Sequence, residues 1–202
     1  MPVPDKQTLR KALRKEKIKA REALTPEERA EKSRAICASI LQTPEYAKAK
    51  VVMIYKFVKG EVQLAALEEA NEALPEETRK IFVYPLCIED RGMLAIAPGS
   101  MDLNSAAWKK GAFGIPEPVP EQGSVAAPED IDLVVSPCSS FDGTFMRLGM
   151  GGGYYDRYLP KCRKADVMLV AFECQRAEKI PAEDWDVPVP CIVTEERVLR
   201  AE

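Results

Sequence analysis

Four short, almost continuously apolar runs set the strongest limit on how this chain folds: VVMIYKF (Val51 to Phe57), IFVYPLC (Ile81 to Cys87), IDLVVS (Ile131 to Ser136) and the segment Val167 to Phe172. Each is of strand length and rich in β-branched or aromatic residues, and none alternates polar with apolar as a half-solvated strand would. Strands apolar on both sides belong in a sheet covered on both faces, which is the habit of parallel sheets. Between the first two runs Leu64, Leu67, Ala70 and Leu74 return to helical spacing. The repeated strand, helix, strand order predicts an α/β fold, a three-layer α/β/α domain around a largely parallel sheet, with residues 1–202 as a single domain.

Local signals place the other elements. Lys6 to Leu24 reads as an amphipathic helix with Leu9, Leu13 and Ala20 near one stripe and Ala12 beside it. Thr25, Pro26 and Glu28 supply a capping hydroxyl, a proline at the first helical position and a capping-box carboxylate, so a second helix starts there. Its apolar side is Ala30, Ile36, Cys37, Ile40 and Leu41. Glu89 to Gly92 reads as a turn that lets Met93 to Ala97 pair beside the second strand, and Pro116, Pro118, Pro120 and Pro128 punctuate a long irregular stretch.

The 202 residues contain no histidine. A Ser-His-Asp triad, a Cys-His pair, a His-ligated zinc and a haem histidine are therefore excluded. The six cysteines are scattered and never stand in a C-x-x-C spacing, so no thiolate zinc site is visible. With neither a hydrophobic leader nor an apolar stretch of membrane length, the expectation is a cytoplasmic protein with free, buried thiols and no membrane partner. Net charge is −3, unevenly spread: residues 1–50 carry 13 Lys and Arg against 7 Asp and Glu, while the remainder carries 16 against 25. A basic first quarter on an acidic body calls for an anionic partner or internal ion pairs.

The most informative segment is FDGTFMRLGMGGGYYDRYL, Phe141 to Leu159, placed after a central strand and before a short helix near Tyr154 to Leu159. In α/β sheets that is where ligands bind. Gly149, Gly151, Gly152 and Gly153 free the backbone to turn its N–H groups onto an anion, the helix dipole adds to the field, and Arg147 offers a fixed charge with bidentate reach to phosphate. The pattern is neither a Walker A loop nor a dinucleotide fingerprint, since no Gly-Lys-Ser/Thr follows and Tyr154 fills the third glycine's place. Asp156 is placed to hold Mg²⁺ beside a polyphosphate, or to satisfy the helix's first turn. Lys6 and Arg10, spaced i, i+4, can both reach one phosphate. Glu61 stands in the Lys59-Gly60-Glu61 turn, where it can accept hydrogen bonds from a ligand. The residues by themselves thus indicate a site for a nucleotide or a phosphorylated ligand.

At these positions the sequence resembles the 5-formyltetrahydrofolate cyclo-ligase family, also called methenyltetrahydrofolate synthetase. The resemblance rests on RLGMGGGYYDRYL from Arg147 to Leu159, the Lys6-x-x-x-Arg10 helix, the Lys59-Gly60-Glu61 turn, the segment Gly114 to Pro118, and Gln175, all in the family's order. It implies an ATP- and Mg²⁺-dependent cyclisation of 5-formyltetrahydrofolate to 5,10-methenyltetrahydrofolate with release of ADP and phosphate. Carried over by position, Lys6, Arg10 and the loop Arg147, Leu148, Gly149, Met150, Gly151, Gly152, Gly153, Tyr154 and Tyr155 would hold ATP. Arg147 would be catalytic, Asp156 would take the metal, and Glu61 and Lys56 would bind the reduced folate. Tyr55, Phe57, Trp108 and Phe113 are candidates for the pocket wall or equally for the core. The chain departs from the family's pattern at Lys56, at Cys138-Ser139-Ser140, at Phe145 where glycine is usual, and at Pro190, which takes the place of an aspartate and leaves Asp186 as the nearest carboxylate.

Two other readings compete with this enzyme. One is a non-catalytic or divergent paralogue that binds a nucleotide or phosphorylated metabolite on the same scaffold. The other is an RNA-binding protein using the basic helix, disfavoured by the acidic remainder and by the lack of interleaved aromatic residues, so that no nucleic-acid partner is expected.

Overall fold

In the computed structural model, residues 5–58, 60–111 and 114–201 are described. The expected Lys59 and Phe113 positions lie outside them. The chain opens with α1 (Lys6–Glu22), α2 (Pro26–Leu41) and α3 (Pro44–Lys48), enters β1 (Val51–Met53), crosses through α4 (Ala65–Glu72) to β2 (Ile81–Ile88) and turns into β3 (Gly92–Pro98). A small hairpin of β4 (Trp108–Lys110) and β5 (Pro116–Pro118) precedes β6 (Gly123–Ala126) and β7 (Leu133–Pro137). A second hairpin, β8 (Ser140–Phe141) with β9 (Arg147–Leu148), leads to α5 (Tyr154–Tyr158), and then β10 (Asp166–Val170), β11 (Cys191–Val193) and β12 (Val198–Arg200) follow.

The main sheet has the order β12-β11-β10-β7-β1-β2-β3-β6. Its five central strands are mutually parallel, as the apolar runs require, with Val52 paired to both Phe82 and Leu133. Antiparallel neighbours, β12 at one end and β3 beside β2 at the other, extend it. The pleat then divides the core. Val52 and Ile54 join Ile36 and Ile40 of α2 and Leu67 of α4 on one face, whereas Met53 and Val134 meet Tyr158 and Leu159 on the other. This is the expected α/β fold, but the layers are unequal. One face carries α2, α3 and α4, and the opposite face is covered by the five-residue α5 and irregular chain.

Several local expectations need correction. The first apolar run is strand only to Met53; Ile54 makes one more bond to Val83, and the chain then leaves the sheet as a loop carrying Lys56 and Glu61. The proline-rich stretch contains two strands, because prolines are tolerated at strand ends and edges, and β6 forms the far edge of the main sheet. The capping box at Thr25 and the turn before β3 are as expected, with Asp90 taking the left-handed conformation (φ 55°).

The largest correction concerns α1. Its buried residues are Arg10 and Arg21, while Leu9 is exposed. The helix lies against the short β8 segment and the turn Glu173–Gln175 with an arginine face, because what it covers is a set of loops rich in backbone carbonyls and carboxylates. All six cysteines are free, as expected, but Cys87 is exposed. No helix among the described residues is long and apolar enough to cross a membrane.

Candidate active site

After β1 the chain departs to β2 on one side, and it later returns through β7 on the other side of β1. The loops leaving the carboxyl ends of β1 and β7 therefore diverge, opening a crevice at the topological switch point of the sheet. Glu61 stands in the first loop and Arg147 to Asp156 in the second.

The first loop is dry. Glu61 is 6% exposed, and its carboxylate faces Arg21 at 3.7 Å while accepting a hydrogen bond from the Val58 N–H at 3.0 Å. Burial pushes the Glu61 carboxyl above its ordinary value, with Arg21 and the Val58 N–H pulling the other way. Arg21, 1% exposed, donates to the Cys138 carbonyl at 3.1 Å, and its Nε has no partner among the described residues. The Tyr55 hydroxyl donates to the Val62 carbonyl, and burial raises both Tyr55 and Tyr155. Tyr155 Oη is buried with no hydrogen-bond partner among the described residues. A fully satisfied core rarely leaves such atoms, so polar capacity converges here without internal use.

Lys56 leaves the same loop in another direction. Its ammonium pairs with Glu68 and lies 4.9 Å and 5.2 Å from the ring centroids of Tyr84 and Trp108, which meet edge to face. Trp108 is buried and its Nε1 donates to the Ser100 carbonyl, while Lys56 beside it is part-buried. Phe57 is exposed.

The second loop is wet at its tip and anchored at its base. Ser139 Oγ donates to the Leu148 and Gly149 carbonyls, Ser140 Oγ donates to the Gln175 carbonyl, and Gln175 Nε2 donates to the Cys138 carbonyl. The stretch Cys138 to Ser140 thus serves as a clamp on the hairpin. Asp142 caps the hairpin turn by accepting from the Thr144, Met146 and Ile180 N–H groups. Phe145 holds φ 63°, a conformation that favours glycine and costs a bulky residue of the order of 1 kcal/mol.

Arg147 is buried rather than displayed. It donates to Asp156 Oδ1 at 2.7 Å and lies over the Tyr155 ring. Gly151 and Gly153 adopt φ 104° and 65°, where a Cβ would be strained. Arg14 Nε donates to the Gly149 carbonyl at 2.8 Å. The helix dipole expected behind this loop is small, since α5 has only five residues. The loop's positive field comes instead from Arg147 beneath it and from α1 beside it.

Lys6 and Arg10 stand at the start of α1. Arg10 grips Asp186 with both terminal nitrogens and donates to the Pro181 carbonyl at 2.8 Å; Lys6 pairs with Glu183 at 3.2 Å. Burial alone would raise Asp186, yet the bonds from Arg10 and from the Glu183 N–H hold it below its ordinary value. Both expected cations are thus brought to the glycine loop's side of the molecule, but each carries a carboxylate. Arg14 and Arg21, which the leucine-based reading of the helix passed over, do as much to hold the site; the signal was the run Arg10, Arg14, Lys17, Arg21 at i, i+4, i+7 and i+11.

No group of three or more Asp, Glu, Cys or His side chains among the described residues could hold a metal. What the loop offers is a single carboxylate, Asp156, with one oxygen on Arg147. That donor set suits Mg²⁺ arriving with a polyphosphate, which keeps water and phosphate oxygens for most of its ligands.

A model of the 5-formyltetrahydrofolate cyclo-ligase family matches residues 3–195. The 5-formyltetrahydrofolate cyclo-ligase of Escherichia coli K12 is 30% identical over 180 residues, covering 88% of this chain and 96% of the relative. The mouse enzyme of the same name is 26% identical, covering 93% and 94%. Among solved structures, the 5,10-methenyltetrahydrofolate synthetase of Aquifex aeolicus superposes with a TM-score of 0.80 at 35% identity, covering 95% of this chain and 92% of that one. With the motif order, the fold and the crevice all agreeing, the chain belongs to the 5-formyltetrahydrofolate cyclo-ligase family of ligases.

Proposed function

We propose that this chain closes 5-formyltetrahydrofolate to 5,10-methenyltetrahydrofolate using ATP, releasing ADP and phosphate. The observation that carries the reading is the pairing, at one switch point, of a dry carboxylate pocket with a glycine loop backed by arginines. The two halves suit the two substrates. A buried carboxylate recognises the N–H donor edge of a pterin, and backbone amides with nearby guanidinium groups recognise a triphosphate.

In the reaction, the formyl oxygen attacks the γ-phosphorus and the bond to ADP breaks. The resulting iminium-like phosphate ester is closed by the folate's own N10, which forms the new C–N bond, loses its proton and expels phosphate with the C–O electrons. Neither step needs a histidine. The residues position the reactants and stabilise charge. Lys6, Arg10 and the loop Arg147 to Tyr155 hold the triphosphate. Arg147 places positive charge under the transferring group and orients Asp156. Glu61 holds the pterin, and Lys56 with Trp108 lines the folate's side of the crevice. Mg²⁺, bound through Asp156, would neutralise charge on the phosphates. The six free thiols suit the reducing cytoplasm.

The test mixes folded protein, ATP, Mg²⁺ and 5-formyltetrahydrofolate and follows methenyl-product absorbance. Product that requires ATP supports the reading. Its absence from folded protein refutes it.

A further inference from the structure

Two of the most exposed large apolar side chains in the described chain are Trp185, at 66%, and Met150, at 55%. They are far apart in sequence, yet α1 brings their neighbourhoods together. Trp185 adjoins Asp186, which is held by Arg10, and Met150 adjoins Gly149, whose carbonyl is held by Arg14. Arg10 and Arg14 are one helical turn apart on the same face. Leu13, between them, packs with Met146, Leu148 and Ile180, so the glycine loop and the strap that begins at Ile180 share one small apolar base.

That strap is built to hold its shape. The Ile180 N–H bonds Asp142, the Glu183 N–H bonds Asp186, the Asp186 N–H bonds the Glu183 carbonyl, and Gln7 bonds Glu183. A strap that leaves an indole in water next to the Asp186–Arg10 pair, one helical turn from the arginine on the glycine loop, gains nothing in stability from the indole. A flat aromatic face next to a phosphate site has an obvious ligand in the base of the same nucleotide.

We infer that Trp185 is the nucleobase platform of the triphosphate site, stacking on the base of a nucleotide whose phosphates lie in the glycine loop, with Met150 as a second apolar contact. The inference rests on the proposed use of ATP and adds what that proposal lacks, a residue that reads the base. Stacking reads the π face and not the hydrogen-bonding edge, so purine nucleotides bind better than pyrimidine nucleotides and ATP is only weakly distinguished from GTP.

The chain has two tryptophans, and the other, Trp108, is buried. Intrinsic fluorescence therefore separates them. ATP is expected to quench the wild-type protein, and inorganic tripolyphosphate to bind without quenching. Trp185→Phe loses the quench but keeps ATP affinity within a few-fold. Trp185→Ala, at a site too exposed to endanger folding, raises the Kd for ATP about tenfold and leaves tripolyphosphate affinity unchanged. Unchanged ATP affinity in Trp185→Ala overturns the inference and spares the proposed reaction. Equal losses for ATP and tripolyphosphate also overturn it, since the strap would then act on phosphate alone. A wild-type protein that binds no nucleotide overturns both.

Discussion

The loops after β1 and β7 leave adjacent strands and meet opposite demands. The β1 loop buries an ion pair, Glu61 with Arg21, where solvent is excluded and the carboxyl is pushed up; the β7 loop buries its hairpin base and Arg147 but leaves its glycines partly or fully exposed. One side is suited to discriminating a neutral hydrogen-bonding edge, because an unpaired donor or acceptor in a dry site is penalised heavily. The other is suited to capturing charge, because amides and cations attract an anion while it is still solvated. The difference suits the first loop to reading shape and the second to reading charge.

The strongest attack on this contrast is Glu61→Gln. It removes the carboxylate that would take the pterin's N–H edge, so activity should be lost at any folate concentration reached, while burial, which already disfavours the ionised form of Glu61, predicts no large stability loss in chemical denaturation. A variant that keeps its activity would show that the β1 loop does not hold the pterin. Arg147→Ala should lower kcat about a hundredfold with a native circular dichroism spectrum, as for removal of one charge-stabilising donor. A mere rise in KM for ATP would move Arg147 from chemistry to binding. Gly151→Ala, at φ 104°, should cost about 1–2 kcal/mol and weaken ATP more than folate. Equal weakening of the two substrates would erase the division between the loops.

The smallest effect is in the pH dependence. Asp186 is held below its ordinary value, so its contribution to stability is present above pH 3.8, the unperturbed value, and is lost as pH falls through its folded value. Glu61, raised, has the opposite sign: its contribution is full below the unperturbed 4.5 and fades as pH rises through its folded value. In thermal melts, the gap between the parent and Asp186→Asn should therefore narrow on acidification below about pH 4. A gap that stays constant there would show that Arg10 does not hold Asp186 ionised.

Much of the sheet was legible because its strands are apolar on both faces, and the second helix because its cap is written in three residues, Thr25, Pro26 and Glu28. The strands of the main sheet that escaped notice, β6, β11 and β12, are short, and two of them lie at its edges, where side chains need not be apolar; the β4–β5 hairpin escaped too, with only three residues in each strand. The glycine loop was legible as the turn between a central strand and a short helix, and the β8–β9 hairpin leading into it was not, since two-residue strands leave no periodicity. Phe145 shows why position outweighs propensity: its backbone keeps the left-handed turn that the family usually gives to glycine, held by the bond from its N–H to Asp142 and from the Val189 N–H to its carbonyl. The helix α1 misled because its leucines look like a core stripe. The buried partners are carbonyls and carboxylates more than a hundred residues away, and no local pattern encodes them.

That separation bears on how the molecule comes into being. Arg21 meets Cys138 across 117 residues, Arg14 meets Gly149 across 135, and Arg10 meets Asp186 across 176. The helix α1 is thus made well before the groups that hold it, and it can dock fully only after Asp186 has been made. Contacts of such span slow folding, and a polypeptide cut before Asp186 would retain most of its sheet while its N-terminal arginines lacked a docking site. The Arg10 end of the site is completed only once Asp186 has been made, so a product cut before that residue would lack it.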